Sequence, residues 1–375
     1  MRNPLSNIFY PEGLENEQFD IYLSSGFFRA SINLHKAEVI CASKGLYSPI
    51  NIRISLSNHK FSKSHRRLLR KNGEHFTYEI GNLEIDDNME SLYQDNKKNF
   101  SGFICDSVEE LLLANGSTSP FKSRMIKVYS SEKLIAVSVF DLGNNSIASI
   151  LGLYDLGMRS RYLGIYTMLL EIEEAKRQGF EYYYPGYIFN SESSLDYKLS
   201  LGGIEYRSKT DAWIKVDKRK SVEETKDFIV SKHESVNNLL IEKQKEIIEV
   251  LKRYSIVGES LTYPIFDIIN VKLNGFVNVR NPLLVRISEN IFVEYDYITE
   301  SYRAFVANFA FGPINKVLKE NNVYTGSGFY LDGFIGYGQI ISISKNIEML
   351  AQGVKLYYEL VKYGSLIKIN ESENE

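Results

Sequence analysis

Three groups of residues in this 375-residue chain have the types and spacing to do chemistry. The first is a run of cations. Between Arg53 and Lys71 stand seven Lys or Arg (Arg53, Lys60, Lys63, Arg66, Arg67, Arg70, Lys71) and no acid. Such a run holds phosphates, each charge acting by release of condensed counterions. The plain alternative is a solvated face, or one paired with the next stretch, since Asn72 to Asp95 has seven acids and no Lys or Arg. The second group is Tyr154-Asp155-Leu-Gly-Met-Arg159-Ser-Arg161-Tyr162-Leu163-Gly164-Ile-Tyr166, a basic, glycine-bearing turn that leads into a helix. Free N–H groups and the helix dipole at such an N-terminus attract an anion. The third is aromatic: Tyr182-Tyr183-Tyr184-Pro185-Gly186-Tyr187, followed by Tyr197-Lys198. With 26 Tyr in the chain, these side chains either offer stacking faces with polar tips or fill strand cores.

The elements that must position these groups are readable from periodicity. Ile50, Ile52, Ile54 and Leu56 alternate with Asn51, Arg53 and Ser55, the pattern of a strand with one buried face. Phe61 to Lys71 starts as a helix capped by Ser62, with Leu68 and Leu69 turned inward and the outward face basic. Phe121 to Tyr129, Leu134 to Asp141 and Ser146 to Tyr154 form an antiparallel meander, turning at Ser130–Lys133 and Gly143–Asn145. Ile165, Met168, Leu169, Ile172 and Ala175 lie on one helix face. Gly179 ends that helix, and Phe180 to Tyr184 is a short aromatic strand. Further helices are expected over 18–29, 89–99 and 107–115, and a further strand over 30–40.

Beyond Trp213 the composition changes, and a boundary is placed near residue 220. The expected domains are an arm over 1–17, a first domain over 18–218, an accessory α+β domain over 219–369 and a disordered tail over 370–375. In the accessory domain we expect a helical stretch to Tyr254, strands over 265–279, 283–287 and 291–297, a helix over 301–320 and a last helix over 347–363. The glycine-rich piece Gly326 to Gly338 lacks a Gly-Lys-Ser/Thr ending and reads as turns between short strands.

Net charge is −3, so attraction to nucleic acid must come from a local patch. Cys41 and Cys105 are too few for a disulfide framework or a metal cluster, which fits a reducing cytoplasm. Cys41 is expected to be a small core residue. No run approaches the roughly 20 apolar residues of a membrane helix, and the N-terminus has no signal-peptide core. No metal site and no Ser–His–Asp arrangement is evident, and no cofactor is expected.

The order strand, strand, basic glycine turn, helix, strand resembles the core of acyl-CoA-dependent N-acetyltransferases of the GNAT type. It implies an α+β fold with a mixed, mostly antiparallel sheet flanked by helices. Three blocks together resemble arginyl-tRNA–protein transferases, including their bacterial leucyl-tRNA branch. The first is Phe19-Asp20-Ile-Tyr22-Leu-Ser-Ser-Gly26-Phe27-Phe28-Arg29. The second is Ile52-Arg53 with Phe61-Ser62-Lys63-Ser64-His65-Arg66-Arg67-Leu68-Leu69-Arg70-Lys71, similar to the family's Ser-Lys-Ser-(His/Gln) motif and basic helix. The third joins Tyr154-Asp155, Leu163-Gly164-Ile-Tyr166, Tyr182-Tyr183-Tyr184-x-Gly186-Tyr187 and Tyr197-Lys198, closing at Trp213. The resemblance covers about residues 18 to 215. The family's Cys-x-x-Cys is absent, and Tyr47-Ser48 stands before Pro49 where the family has two cysteines, so no cysteine-ligated cluster is expected. Ser193 to Asp196 replaces its Cys-Pro-Lys-Met, which implies a different acceptor-side pocket.

The resemblance implies an aminoacyltransferase whose partners are an aminoacyl-tRNA and the N-terminus of an acceptor protein or peptide. An aminoacyl ester is already activated, so the enzyme must place the amine, take up its proton and stabilise the oxyanion. On that reading Arg53, Lys63, Ser64, Arg66, Arg67 and Arg70 hold acceptor-stem phosphates. Arg159, Arg161 and Gly164 meet the terminal nucleotide or an acidic acceptor side chain. Tyr166, Tyr184, Gly186 and Tyr187 line the pocket. Asp141 or Asp155 binds the α-ammonium or accepts a proton, and Tyr197 and Lys198 face the oxyanion or a carboxylate. Two other classes remain open: an acyl-CoA-dependent N-acyltransferase, and a non-catalytic homologue that binds tRNA or protein.

Overall fold

The computed structural model describes residues 6–9, 11–42, 45–98, 105–113, 118–216, 220–233, 235–262, 283–310 and 334–372. The chain divides into two compact units, one of residues 7–38 and 47–235 and the other of 1–6, 39–46 and 236–375.

The first unit is built on an eight-stranded sheet. Its strands are β6 (Pro49–Ser55), β7 (Thr77–Asn82), β8 (Ser123–Ser130), β9 (Lys133–Leu142), β10 (Ser146–Tyr154), β11 (Tyr182–Phe189), β12 (Ile204–Arg207) and β13 (Trp213–Lys215). They lie in the order β13-β12-β6-β11-β10-β9-β8-β7. Neighbours are antiparallel except β10 and β11, which run parallel and are joined by helix α5 (Leu163–Gln178). That is the mixed α+β core expected from the sequence. Before the sheet come α1 (Asn16–Ser24) and a small sheet of β1 (Ser6–Phe9), β2 (Phe28–Ala30) and β3 (Asn33–Ala37); the ribbon β4 (Ile40–Ala42) and β5 (Gly45–Tyr47) that follows them in the chain falls in the second unit but for its last residue. Helices α2 (Lys63–Gly73), α3 (Asp87–Lys97), α4 (Val108–Leu113) and α6 (Val222–Lys232) complete the unit.

The local signals explain most of these boundaries. Ile50, Ile52 and Ile54 are buried and Asn51, Arg53 and Ser55 half-buried, so β6 has one core face. The Ser62 side chain accepts from the His65 N–H at 3.1 Å and caps α2. Gly179 adopts φ 83 and closes α5, a left-handed C-cap that a side chain would strain. The acidic stretch supplied a strand the sequence reading missed: β7 pairs with β8 at the sheet edge, and its Glu79 accepts from Tyr129 Oη at 2.7 Å. Helix α6 packs in this unit, with Ile229 buried in the core of the eight-stranded sheet. The division therefore falls one helix later than the boundary expected near residue 220.

The second unit holds α7 (Val236–Arg253), the sheet β14 (Glu259–Thr262), β15 (Leu283–Arg286), β16 (Ile291–Asp296), β17 (Ser301–Ala310) and β18 (Phe334–Ser344), and α8 (Ile347–Ser372). Its strands follow chain order, and its core contains Ile247, Leu251, Val285, Val293, Leu350 and Val354. The helix expected from residue 301 is instead strand β17 over its described part. Tyr302, Arg303, Phe305 and Val306 favour a pleated surface, and partners on both sides (β16 and β18) complete it. Helix α8 continues to Ser372, past the expected end at Tyr363 and into the expected tail. The strand expected over 265–279, most of the glycine-rich stretch and the Cys41 side chain lie outside the described residues.

Candidate active site

Two parallel strands that part company form one side of the site. β10 and β11 pair only through Ser146↔Tyr182, Ile147↔Tyr183 and Ala148↔Tyr184. Farther along, β10 pairs with β9 and β11 with β6. Both strands shift register at that level, between Ser149 and Leu151 and between Tyr183 and Gly186, and such irregularities re-aim a strand. Gly186 takes φ 99, and a Cβ there would stand 3.1 Å from Lys198 Nζ. The missing side chain thus makes room for the ammonium, which also lies 3.5 Å from the Tyr187 carbonyl oxygen and 5.6 Å from the Tyr187 ring centroid. Burial pushes the Lys198 ammonium down to about 8. Burial also pushes the Tyr187 and Tyr197 phenols up to about 12, which leaves both as neutral hydrogen-bond donors near pH 7.

A basic cavity forms a second feature of the unit. Lys63, Arg66, Arg67, Arg70 and Lys71 on α2 are all exposed. Among the described residues no carboxylate lies within ion-pair distance of any of them. The acidic stretch pairs elsewhere, as where Asp86 caps α3 and meets Lys127 at 2.8 Å. Ser64, Arg67, Leu68, Lys71 and Asn72 line a cavity of about 450 Å³ whose other walls are Ser160, Arg161, Tyr162, Ile165 and Ser200. The Asn72 side-chain amide donates to the Arg161 carbonyl at 2.9 Å and ties α2 to the bend. The first turn of α5 opens at this bend, with Tyr162 as an N-cap that makes no side-chain cap bond. Amides at such a terminus have no partner within the helix. Ser200 shares a 3₁₀ turn (Asp196–Leu201) with Tyr197 and Lys198.

Several residues singled out from the sequence have other work. Tyr166 is 1% exposed and sits in the core, because α5 is buried on more than one face; it cannot line a pocket. Tyr184 is also buried, against Phe19, Leu23 and Leu34. Arg53 is stacked between the Tyr182 and Trp213 rings, 4.1 and 4.3 Å from their centroids, and bonds Glu205 at 2.9 Å. Its guanidinium already has a carboxylate partner, which among the described residues none of the arginines on α2 has. Asp141 is fully buried and receives Arg29 at 2.8 Å and Ser123 at 2.7 Å. Asp155 caps the 3₁₀ turn Leu156–Arg161 and pairs with Lys133 at 2.7 Å. Arg159 is exposed, Arg161 half-buried, and Gly164 lies beside the Tyr154 ring.

Two residues were missed. Glu171, on α5, is fully buried and accepts from Ser138 Oγ at 2.5 Å and from Tyr183 Oη at 2.6 Å. Burial pushes its carboxyl up to about 7 against these bonds. An acid inside the apolar run of a helix was the available signal. Tyr162 is the other, taken up below.

Comparison with known sequences points to a transferase. The family described as "Arginine-tRNA-protein transferase, C terminus" matches residues 82–208. An aspartate/glutamate leucyltransferase of Leptospira interrogans is 25% identical over 217 residues, covering 56% of this chain and 82% of its own. That of Shewanella putrefaciens is 27% identical over 197 residues, covering 51% and 80%. Among solved structures, L-PGS from Bacillus licheniformis matches distantly, at 12% identity and a TM-score of 0.29, over 48% of this chain and 52% of that one. The sequence is thus similar to arginyl- and leucyl-tRNA–protein transferases, and the family match lies within the first unit. Among the described residues no helix is long and apolar enough to cross a membrane.

Proposed function

We propose that this protein moves an amino acid from a charged tRNA to the N-terminal α-amino group of an acceptor protein or peptide. The observation that carries this reading is the 450 Å³ cavity, where Arg67 and Lys71 of α2 face Arg161 and the start of α5. Lys63, Arg66, Arg67 and Arg70 hold phosphates of the acceptor stem, with Ser64 at the start of the same helix. Arg159, Arg161 and Gly164 receive the end of the strand. The ester lies toward Gly186, Tyr187, Tyr197 and Lys198.

In the reaction the acceptor nitrogen attacks the ester carbonyl carbon. A C–N bond forms, the bond to the ribose oxygen breaks, and a proton passes from the amine to that oxygen. Neutral Tyr187 and Tyr197 hydroxyls suit donation to the developing oxyanion. Lys198, near 8, is matched to moving a proton at working pH. A protein α-amino group has a pKa of about 7.7–8.0, so position contributes more than base strength. Asp141 and Asp155 support the scaffold through their ion pairs, and Arg53 supports β6. The acceptor is a protein or peptide with an acidic first residue, as the names of the leucyltransferase relatives suggest. The test is label transfer from charged leucyl- or arginyl-tRNA to a peptide beginning with Asp or Glu. No transfer from any charged tRNA would remove the reading.

A further inference from the structure

Tyr162 stands at the bend before α5 with φ 52 and ψ 43, a left-handed conformation that bulky L-residues rarely adopt. Its ring is 66% exposed, the most of any aromatic side chain among the described residues. The ring stacks on no other aromatic among those residues, and its side chain caps nothing. An uncommon backbone state thus holds a large apolar plane out toward solvent. Such local strain gathers where a ligand is held.

The surroundings say which ligand. Tyr162 is one wall of the cavity it shares with Arg67 and Lys71 of α2, Arg161 beside it, and Ile165 and Ser200. A flat aromatic face flanked by cations is the arrangement that takes an unstacked nucleobase, with the ring under the base and the charges on its neighbouring phosphates. Tyr166, expected to line the pocket, lies in the core, four positions on and one helical turn farther along. We propose that Tyr162 is the stacking platform for an unpaired base at the 3′ end of the donor RNA. This rests on the transferase reading above. A base with adjoining phosphates also occurs in coenzyme A, and the experiment separates the two sources.

Binding of uncharged tRNA, of the same tRNA lacking its single-stranded 3′ tail, and of coenzyme A is measured for the wild type, Tyr162→Phe, Tyr162→Gly and Tyr162→Ala. Tyr162→Phe keeps the ring and should bind intact tRNA like the wild type. Tyr162→Gly accepts the left-handed backbone without strain and should melt no lower than the wild type, yet bind intact tRNA about tenfold more weakly, as loss of one base stack implies. Tyr162→Ala should weaken binding equally. None of the three should change binding of the tail-less tRNA. Equal binding of intact tRNA by all four proteins would overturn the proposal and leave the transferase reading standing. Equal losses on both RNAs would also overturn it, as would a loss confined to coenzyme A. If the wild type binds neither RNA, both readings fall.

Discussion

Replacing Glu171 by Gln should remove a large part of the pH response of the first unit. The carboxyl is wholly buried and faces Ser138 on β9, Ser149 on β10, Tyr183 on β11 and Tyr197 after β11, with no cation among the groups acting on it. Burial penalises the charged form, so the folded state holds a proton that the unfolded chain releases near the ordinary value of 4.5, and keeps it up to about 7. The sign follows from linkage. The folded state binds more protons between these values, so the stabilisation is full below about 4.5 and is lost as pH rises through about 7. At about 1.4 kcal/mol per tenfold change in proton affinity, the loss is on the order of 3 kcal/mol. The amide of Glu171→Gln keeps the shape and cannot ionise, so its stability should be nearly flat in that range apart from titrations shared with the wild type. The assay is urea unfolding at pH 5, 6, 7 and 8, followed by fluorescence of Trp213, the only tryptophan, which reports on the first unit. The variant should gain on the wild type by a few kcal/mol between pH 5 and pH 8. A difference that does not change with pH would refute the buried, proton-holding role of this carboxyl.

Three further outcomes follow from the same geometry. Asp141→Ala strands the Arg29 guanidinium in the core and should cost about 3–5 kcal/mol, seen as a lower melting temperature of the protein with or without tRNA. Gly186→Ala places a Cβ 3.1 Å from Lys198 Nζ at φ 99; it should cost about 1–3 kcal/mol and lower kcat for transfer, while tRNA affinity measured by fluorescence anisotropy stays put. Arg66→Gln with Arg67→Gln removes two exposed cations, so the slope of log Kd for tRNA against log salt should fall by roughly 0.9 per lost phosphate contact. An unchanged slope would mean that α2 does not touch the RNA.

Much of the fold was legible because its signals are local. The Ser62 cap, the alternation through β6 and the left-handed glycine at 179 each act within a few residues, so a window of sequence contains both the signal and its effect. The density of charge on α2 was equally plain. The roles of single side chains were less so. Arg53 sits in the cationic run, yet its guanidinium belongs with two rings 129 and 160 residues later in the chain. Asp141 has the chemistry of a catalytic carboxylate, but its partner is Arg29, 112 residues earlier in the chain. Residues 301–310 have no local feature that forbids a helix; two flanking strands decide the matter through long-range pairing.

Sequence by itself determined the strand, turn, helix and strand around α5, the basic helix and the family that the first unit resembles, since periodicity, caps and motif spacing are written along the chain. Tertiary structure alone decided which tyrosine meets solvent and which meets the core. Tyr162 and Tyr166 are four residues apart and chemically identical, and only the packing of α5 against the sheet buries one and leaves the other over the cationic cavity. The exposure of a side chain is a property of its neighbours in space, and those neighbours come from all along the chain.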